Sequence, residues 1–418
     1  MKRIETVDLI SPISSHLSPQ IWFRVGQVQG SEGPLLPSLR HLRILNDSYL
    51  DHLEIFLAPS LRTVEINTMR VDSTILPFLV NLRDIAPGLE ALLLGPCELS
   101  PQVLNACPQF KQLTCLELLG VEFSITDAVW EEIYSLERLK KFVLQEGCAS
   151  TVATSDTEPP MSESDSITQG LGTLRIAGTS QLVERVINSV KSPDLRELSL
   201  TFTEITTRRV IVSSTKKKRK FESIVVSHIV LRTVIERWGR TLVSLSIAAD
   251  TGTTESLPDS ISLVNRGLKR LQITGFEIYP LPDVNTHLHE PMDLEILHLS
   301  TTIIPLSSLQ HIAETCPKLT FLRCTIDLSS TTPKHSDPMS HQLRVLTIVN
   351  SFGTVQEERR LDIAAYVDRL FPNLKQIAVD SVASGTSSQH SEWMKVFRIV
   401  KLFQIARADE RQRFGDRL

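Results

Sequence analysis

The stretch CPKLTFLRC, Cys316–Cys324, contains the pattern that decides the fold. Its proline is followed two residues later by Leu319, and further apolar residues come three and five positions after that leucine. SPDLRELSL at Ser192–Leu200 and FPNLKQIAV at Phe371–Val379 repeat the same spacing. Proline lacks an amide donor and restricts the residue before it, so a helix ends there and the chain continues extended. The pattern therefore predicts the end of a helix followed by a strand.

The pattern L-x-x-L-x-L, with other apolar residues allowed at its second and third apolar sites, occurs thirteen times. Its copies begin at Leu39, Leu61, Leu89, Leu113, Leu139, Leu171, Leu195, Leu242, Leu268, Leu294, Leu319, Leu343 and Leu374. Nine of the twelve intervals are 22 to 28 residues long, which indicates a structural repeat. Segments between the copies have helical apolar spacing, as in Thr126–Leu139 and Ser307–Leu319, and these two open with a helix-capping type of residue.

This repeat resembles that of leucine-rich-repeat proteins, whose period is about 20–29 residues. It predicts an α/β solenoid (a horseshoe) of about thirteen irregular strand–helix units over residues 35–390. One such unit cannot bury its own apolar face, whereas a stack buries a continuous core. The family usually has Asn or Cys eight residues after the first leucine, and here Cys97 alone matches. Seven further copies carry weaker substitutes at this position, so we expect a divergent solenoid without a regular ladder. The substitutes are Asp47, Thr179, Thr203, Asp250, Thr302, Asp327 and Ser351.

The Cys-Pro and Phe-Pro strand entries and the phrase PLLPSLRHLRIL, Pro34–Leu45, resemble the repeat region of fungal F-box proteins, over residues 34 to 380. That resemblance implies a non-enzymatic substrate receptor of SCF ubiquitin ligases, in which an N-terminal F-box binds a Skp1-type adaptor. HLSPQIWFRV, His16–Val25, is similar to an F-box opening, but too few residues follow it for the remaining helices. Residues 1–34 are therefore expected to be an N-terminal cap or remnant, left by a truncated start or by loss of the F-box. A Skp1-type adaptor is expected as a partner only if an F-box lies upstream.

A different class of function stays open. The alternative is a leucine-rich-repeat scaffold or regulator unrelated to ubiquitination, such as a partner of a small GTPase. A hydrolase or transferase is disfavoured because the sequence has no fingerprint of a nucleotide-binding loop, a zinc protease or a serine hydrolase. HLHE, His287–Glu290, offers two imidazoles and a carboxylate, yet zinc needs three or four converging ligands, so a surface loop is preferred. We expect no catalytic site, no cofactor and no metal.

The composition of the chain limits the classes of partner and the cellular compartments that we expect. The net charge of −4 disfavours nucleic acid as a partner. The sequence contains no apolar run of about 18 residues, the length needed to span a membrane. The six cysteines form no CxxC motif and no regular disulfide framework, which is typical of an intracellular protein. The expected localisation is therefore cytoplasmic and/or nuclear.

Two insertions interrupt the repeat. Residues 148–169 are acidic and rich in Ser and Thr, which predicts a disordered loop and a candidate phosphorylation target. At 213–222, SSTKKKRKFE contains five consecutive cations, whose mutual repulsion predicts an exposed loop. This run resembles a nuclear-import signal, with a plain solvated loop as the alternative; its residues are Lys216, Lys217, Lys218, Arg219 and Lys220.

The last segment, residues 391–418, has apolar residues at helical spacing with cations between them. They are Trp393, Val396, Phe397, Val400 and Phe403. This spacing predicts an amphipathic helix that caps the last repeat, because a solenoid needs its end covered. A membrane-surface helix or a partner-binding helix is the alternative.

Side chains alternate along a strand, so the third and fifth residues of each motif face away from the core. At the third position three successive copies place Ile296, Phe321 and Val345, which neighbouring strands would align in a row, with His298 and Arg323 from the fifth position beside it. An apolar patch rimmed by polar groups is typical of interaction sites, and an aromatic beside an arginine is typical of hot spots. We predict that these five residues bind a protein of unknown identity. The alternative is that the 343–374 segment or the C-terminal helix covers the row.

Overall fold

The structure is a computed structural model, and it describes most of the 418-residue chain. The described residues are 4–9, 34–45, 53–67, 74–95, 99–121, 127–147, 170–204, 207–215, 218–256, 267–277, 292–328, 339–352, 355, 357–380 and 387–415. The chain divides into two compact units, residues 1–195 and 196–418.

The first unit contains seven parallel strands in chain order within its described residues. They are β1 (Thr6–Leu9), β2 (His41–Ile44), β3 (Thr63–Ile66), β4 (Ala91–Leu94), β5 (Cys115–Val121), β6 (Lys141–Glu146) and β7 (Thr173–Thr179). The helices are α1 (Ile75–Ile85), α2 (Pro101–Ala106, followed by a 3₁₀ turn at Cys107–Gln109), α3 (Asp127–Tyr134) and α4 (Ser180–Ser189).

The second unit also has seven parallel strands in chain order, and it inserts an antiparallel hairpin, β9–β10, after the first of them. Its strands are β8 (Glu197–Glu204), β9 (Thr207–Thr215), β10 (Lys218–Val225), β11 (Ser244–Ser256), β12 (Arg270–Glu277), β13 (Ile296–Pro305), β14 (Phe321–Asp327), β15 (Val345–Phe352) and β16 (Gln376–Val379). Its helices are α5 (Val226–Trp238), α6 (Ser308–Thr315), α7 (Arg360–Leu370, preceded by a 3₁₀ turn at Glu357–Arg359) and α8 (Ser387–Gly415).

Every predicted copy of the motif forms a strand. Each of the thirteen strands β2–β8 and β11–β16 begins two residues after the first leucine of its copy. The fourth and sixth positions point into the core, as Leu42 and Ile44 do at 1% and 0% exposure. Both units therefore have the leucine-rich-repeat fold that the spacing predicted.

Strand β1 is a fourteenth repeat that the motif search missed. Val7 pairs with Leu42 and Leu9 pairs with Ile44, so β1 occupies the register of a preceding repeat. Its sequence, with Ile4, Val7 and Leu9 at the motif's apolar spacing, fits the pattern once isoleucine is allowed at the first site. Part of the 1–34 segment, expected as a cap or remnant, is thus a strand in the register of the repeats, although Ile4 at its first site is 52% exposed.

The prolines end the helices as predicted. Ala86, Cys316 and Phe371 each precede a proline, and they share φ near −120° and ψ near 63° (−126° and 66° at Phe371). Each donates its N–H to the helix carbonyl four residues back, and each accepts the N–H of the motif's first leucine on its own carbonyl at 3.1 Å. The residue before the proline therefore ends the helix, and its carbonyl binds the leucine that leads into the strand.

His341 replaces the proline in the copy that begins at Leu343. The N–H of Leu343 donates to His341 Nδ1 at 3.0 Å, and Nε2 lies 2.8 Å from the carbonyl oxygen of Cys316. An Nδ1 that accepts a hydrogen bond requires the neutral tautomer with its proton on Nε2. The imidazole thus supplies the acceptor that a turn carbonyl supplies to other leucines. Burial lowers the pKa of His341, against the opposing effect of its bond to the Cys316 carbonyl.

We expect His341 to contribute to a rise of the protein's stability with pH. Its pKa in the folded state lies below the unfolded value of about 6.5, so the unfolded chain binds a proton that the folded chain does not. The free energy of unfolding should therefore increase as pH rises from the folded pKa to about 6.5, and should fall on acidification. Urea unfolding across this pH range measures the slope. His341→Gln should flatten the slope, and a slope equal to that of the wild-type protein would contradict this role.

Three details of the secondary structure differ from expectation. The described residues of the 213–222 insertion, expected as a loop, belong to strands β9 and β10, because the β-branched residues around the insertion favour paired strands. Ser307 precedes α6 but makes no capping bond, since its own backbone is already helical. Thr179, expected as a ladder substitute, instead caps α4 by accepting from the N–H of Leu182. Neighbouring turns are linked by other threonines, with Thr325 Oγ1 donating to the carbonyl of Ser300 at 2.8 Å.

Helix α8 packs on α7 and on the last strand, β16. Trp393, Val396 and Val400 are fully buried, whereas Phe397 and Phe403 are half-buried. Arg360 of α7 pairs with Glu392 of α8 at 2.7 Å. The predicted amphipathic helix therefore turns its apolar stripe toward the end of the repeat array.

Side chains of α8 also replace those of a following repeat. Between inner repeats, Ser60 Oγ donates to the carbonyls of Pro37 and Leu39 at 2.8 and 2.7 Å. At the last repeat, the equivalent carbonyls of Pro372 and Leu374 accept from Gln404 Nε2 at 3.2 and 3.0 Å. Backbone carbonyls that a following repeat would otherwise bind need such donors at the last repeat. α8 therefore lies against the last repeat, and its role as a cap stays a prediction.

Candidate protein-binding surface

The third and fifth residues of each motif form one face of each sheet, which we call the partner-side face. On β14, Phe321 and Arg323 are half-buried on this face, while Leu322 and Cys324 point into the core. The same alternation holds along β2, β3 and β4. The predicted division of each strand into a core side and a partner side is therefore present.

Ile296, Phe321 and Val345 lie in one row across β13, β14 and β15. The parallel register pairs Ile296 directly with Phe321, and Phe321 directly with Val345. All three side chains remain partly exposed, so neither the described part of the 343–374 segment nor α8 covers them. The geometry needed for the predicted site exists, and we call these three residues the apolar row.

His298 lies beside the row and packs on Phe321. The two ring centroids are 5.0 Å apart and the planes are inclined at 51°. Burial lowers the pKa of His298, and the positive charge of Arg323 lowers it further. The imidazole is consequently neutral at pH 7 and contributes to the surface as an aromatic ring rather than as a cation.

Arg323 is held by a residue that sequence reasoning missed. Its Nη2 donates to Asp380 Oδ2, which follows β16. The one intervening strand, β15, places the short side chain of Thr347 beside Arg323, and β16 places Ala378 beside Thr347. Its Nε is buried and has no hydrogen-bond partner among the described residues. Asp380 follows Ala378 by two residues and so stays on the partner-side face. Extending the pattern to the motif's seventh position would have found it.

The partner-side face of the first unit is different, because its charges pair with each other. Arg43 Nε lies 3.0 Å from Glu65 on the neighbouring strand, and Lys141 Nζ lies 2.6 Å from Glu117. Exposed pairs of this kind contribute about 0–1 kcal/mol each. This face offers no Phe, Tyr or Trp among its described third and fifth positions, so the apolar row remains the stronger candidate.

Two kinds of reactive site concern the described residues, a metal centre and an activated thiol. No group of three or more His, Cys, Asp or Glu side chains among them could hold a metal ion. Burial raises the pKa of the thiols of Cys115 and Cys316 to about 11, and that of Cys324 to about 12. A thiol becomes a good nucleophile when its pKa is lowered, so these cysteines are protonated structural residues. None of the described helices is long and apolar enough to cross a membrane.

Several sequence predictions fall on residues that the structure does not describe. The HLHE stretch at His287–Glu290 and the 148–169 insertion lie outside the described residues, as do Lys216 and Lys217 of the basic run. The backbone of Lys218, Arg219 and Lys220 is described, as the first residues of β10.

Comparison with known proteins adds little beyond the fold. No family model matches the chain, and no curated protein matches it. Among solved structures, an internalin from Listeria monocytogenes is 14% identical over 84% of this chain and 82% of its own, with a TM-score of 0.36. A leucine-rich-repeat protein from Leptospira interrogans is 16% identical over 90% and 89%, with a TM-score of 0.39. Because both superpositions are loose, the fold assignment rests on the strand register of this chain.

Proposed function

We propose that this chain is a non-enzymatic protein-recognition module that binds its partner through the apolar row and its neighbours His298 and Arg323. The observation that carries the proposal is the alignment of Ile296, Phe321 and Val345 in one partly exposed row. A monomeric surface that exposes adjacent apolar side chains rimmed by polar ones is typical of an interaction site. Loss of partner binding on truncation of Phe321, without loss of stability, is the test.

We further propose that the module is substrate-receptor-like, as in the F-box proteins that its repeats resemble. Support comes from the Cys-Pro and Phe-Pro strand entries and from the phrase at Pro34–Leu45. Residues 1–418 should not co-purify with a Skp1-type adaptor, because no complete F-box is recognisable in them. A longer gene product in which F-box helices precede residue 1 should co-purify with it. Failure of that longer product to bind the adaptor would favour the leucine-rich-repeat scaffold or regulator instead.

We also propose that the basic run directs part of the protein to the nucleus. Five consecutive cations, Lys216–Lys220, form the type of segment that import receptors read through acidic grooves. A fluorescent fusion in which these five residues are replaced by alanine should lose its nuclear fraction. An unchanged distribution between nucleus and cytoplasm would remove the proposal.

A further inference from the structure

The apolar row continues into polar residues at both ends. In the register of the sheet, Arg270 on β12 pairs with Ile296, and Gln376 on β16 pairs with Val345. Arg270 and Gln376 are both exposed. A ligand that follows the row across the strands therefore meets a cation at one end and an amide at the other.

Two more cations stand at the edge of the sheet where these strands begin. Arg344 and Lys375 are exposed and directly precede Val345 and Gln376 in the chain. The equivalent residue before β12, Lys269, is neutralised by Glu295 at 3.0 Å, and Arg323 is neutralised by Asp380. Among the described residues, no acidic side chain forms an ion pair with Arg270, Arg344 or Lys375.

The charge around the row is thus opposite in sign to that of the chain. At the motif's second, third and fifth positions on β12–β16, the charged residues are Lys269, Arg270, Glu295, Arg323, Arg344 and Lys375. Five are cations and one is an anion; with Asp380 at the seventh position of the last copy there are five cations and two anions, a net charge of +3, whereas the whole chain carries −4. A local positive field on an acidic protein attracts an acidic partner and repels a basic surface, such as the same face of a second copy of this chain.

We propose that the apolar row binds an extended acidic segment of a partner protein, in which one large apolar side chain packs on Phe321 and flanking Asp or Glu carboxylates pair with Arg270, Arg344 and Lys375. This inference rests on the proposed function. A segment that runs from Arg270 on β12 across the apolar row to Gln376 on β16 crosses four strand spacings of about 4.8 Å, or about 19 Å. At about 3.3 Å per extended residue, the segment has roughly six residues. The carboxylates give orientation and a fast encounter, and the apolar residue gives the anchor.

The test uses a random 12-residue peptide library displayed on phage and selected on the 418-residue chain. Clones that still bind the Phe321→Ala variant are discarded. The remaining clones should be enriched in Asp and Glu around one aromatic or large aliphatic residue. A synthetic peptide of the most enriched sequence should bind at least about tenfold more weakly to the Arg344→Glu/Lys375→Glu double variant. Its affinity should also fall as salt is added, because these pairs are exposed.

The matched control is the Arg40→Glu/Lys140→Glu double variant, which reverses two exposed cations at the same motif position in the first unit. It should leave peptide affinity nearly unchanged. Phe321-dependent clones without acidic enrichment, or equal effects of the two double variants, would overturn the acidic partner while leaving the recognition surface intact. A selection that yields no Phe321-dependent clone would overturn both this inference and the assigned surface.

Discussion

Replacement of Trp393 by alanine is expected to lower the free energy of unfolding by about 3–5 kcal/mol, as large-to-small changes of buried aromatic residues do. Trp393 is fully buried where α8 packs on the second unit, and its side chain is among the largest in the core. Its Nε1 has no hydrogen-bond partner among the described residues, so the loss is one of packing. Urea unfolding followed by circular dichroism measures the change.

Leu402→Ala is the matched control for this substitution. Leu402 lies on the same helix with 64% of its surface exposed, so its truncation should change stability by less than about 0.5 kcal/mol. If Trp393→Ala were as mild as Leu402→Ala, α8 would not be an integral cap. Removal of residues 391–418 should go further and reduce solubility, since it would expose the last repeat and free the carbonyls of Pro372 and Leu374.

The strands could be predicted residue by residue because one physical requirement repeats in every copy. The fourth and sixth motif positions must be apolar to fill the core, so the spacing marks both the existence of a strand and the side that faces inward. The helix ends could be predicted equally well, because proline restricts the backbone conformation of the residue before it. The motif search missed β1 because it required leucine at the first site, where β1 has Ile4.

Features that depend on a single copy were not predictable in the same way. His341 acts as a turn acceptor because the ring is brought to Leu343 and Cys316 by packing, and no spacing rule contains that contact. The pairing of Arg323 with Asp380 joins residues 57 positions apart, across one intervening strand, β15. The hairpin β9–β10 was hidden by its cations, whose charge suggested a loop although the flanking residues favour strands.

Replacement of Phe321 by alanine is expected to weaken partner binding by about 2 kcal/mol or more, which is about 30-fold in affinity. Phe321 stands at the centre of the apolar row, between Ile296 and Val345, and its ring is in contact with His298. Central aromatic anchors surrounded by weaker contacts carry most of the energy of an interface. Because the ring is only half-buried in the free protein, its truncation should lower the free energy of unfolding by less than about 1 kcal/mol.

The decisive measurement needs a partner that has been identified by affinity purification and then purified. This partner is titrated against the wild-type chain, Phe321→Ala and Leu93→Ala, and the stability of each free protein is measured in parallel by urea unfolding. Leu93 is a half-buried apolar residue on the partner-side face of the first unit, so its truncation controls for a general loss of apolar surface. Recognition through the apolar row predicts that Phe321→Ala alone loses about 30-fold in affinity, with all three free proteins similarly stable. A loss of stability in free Phe321→Ala as large as its loss of binding would show that Phe321 belongs to the core and would contradict the assignment.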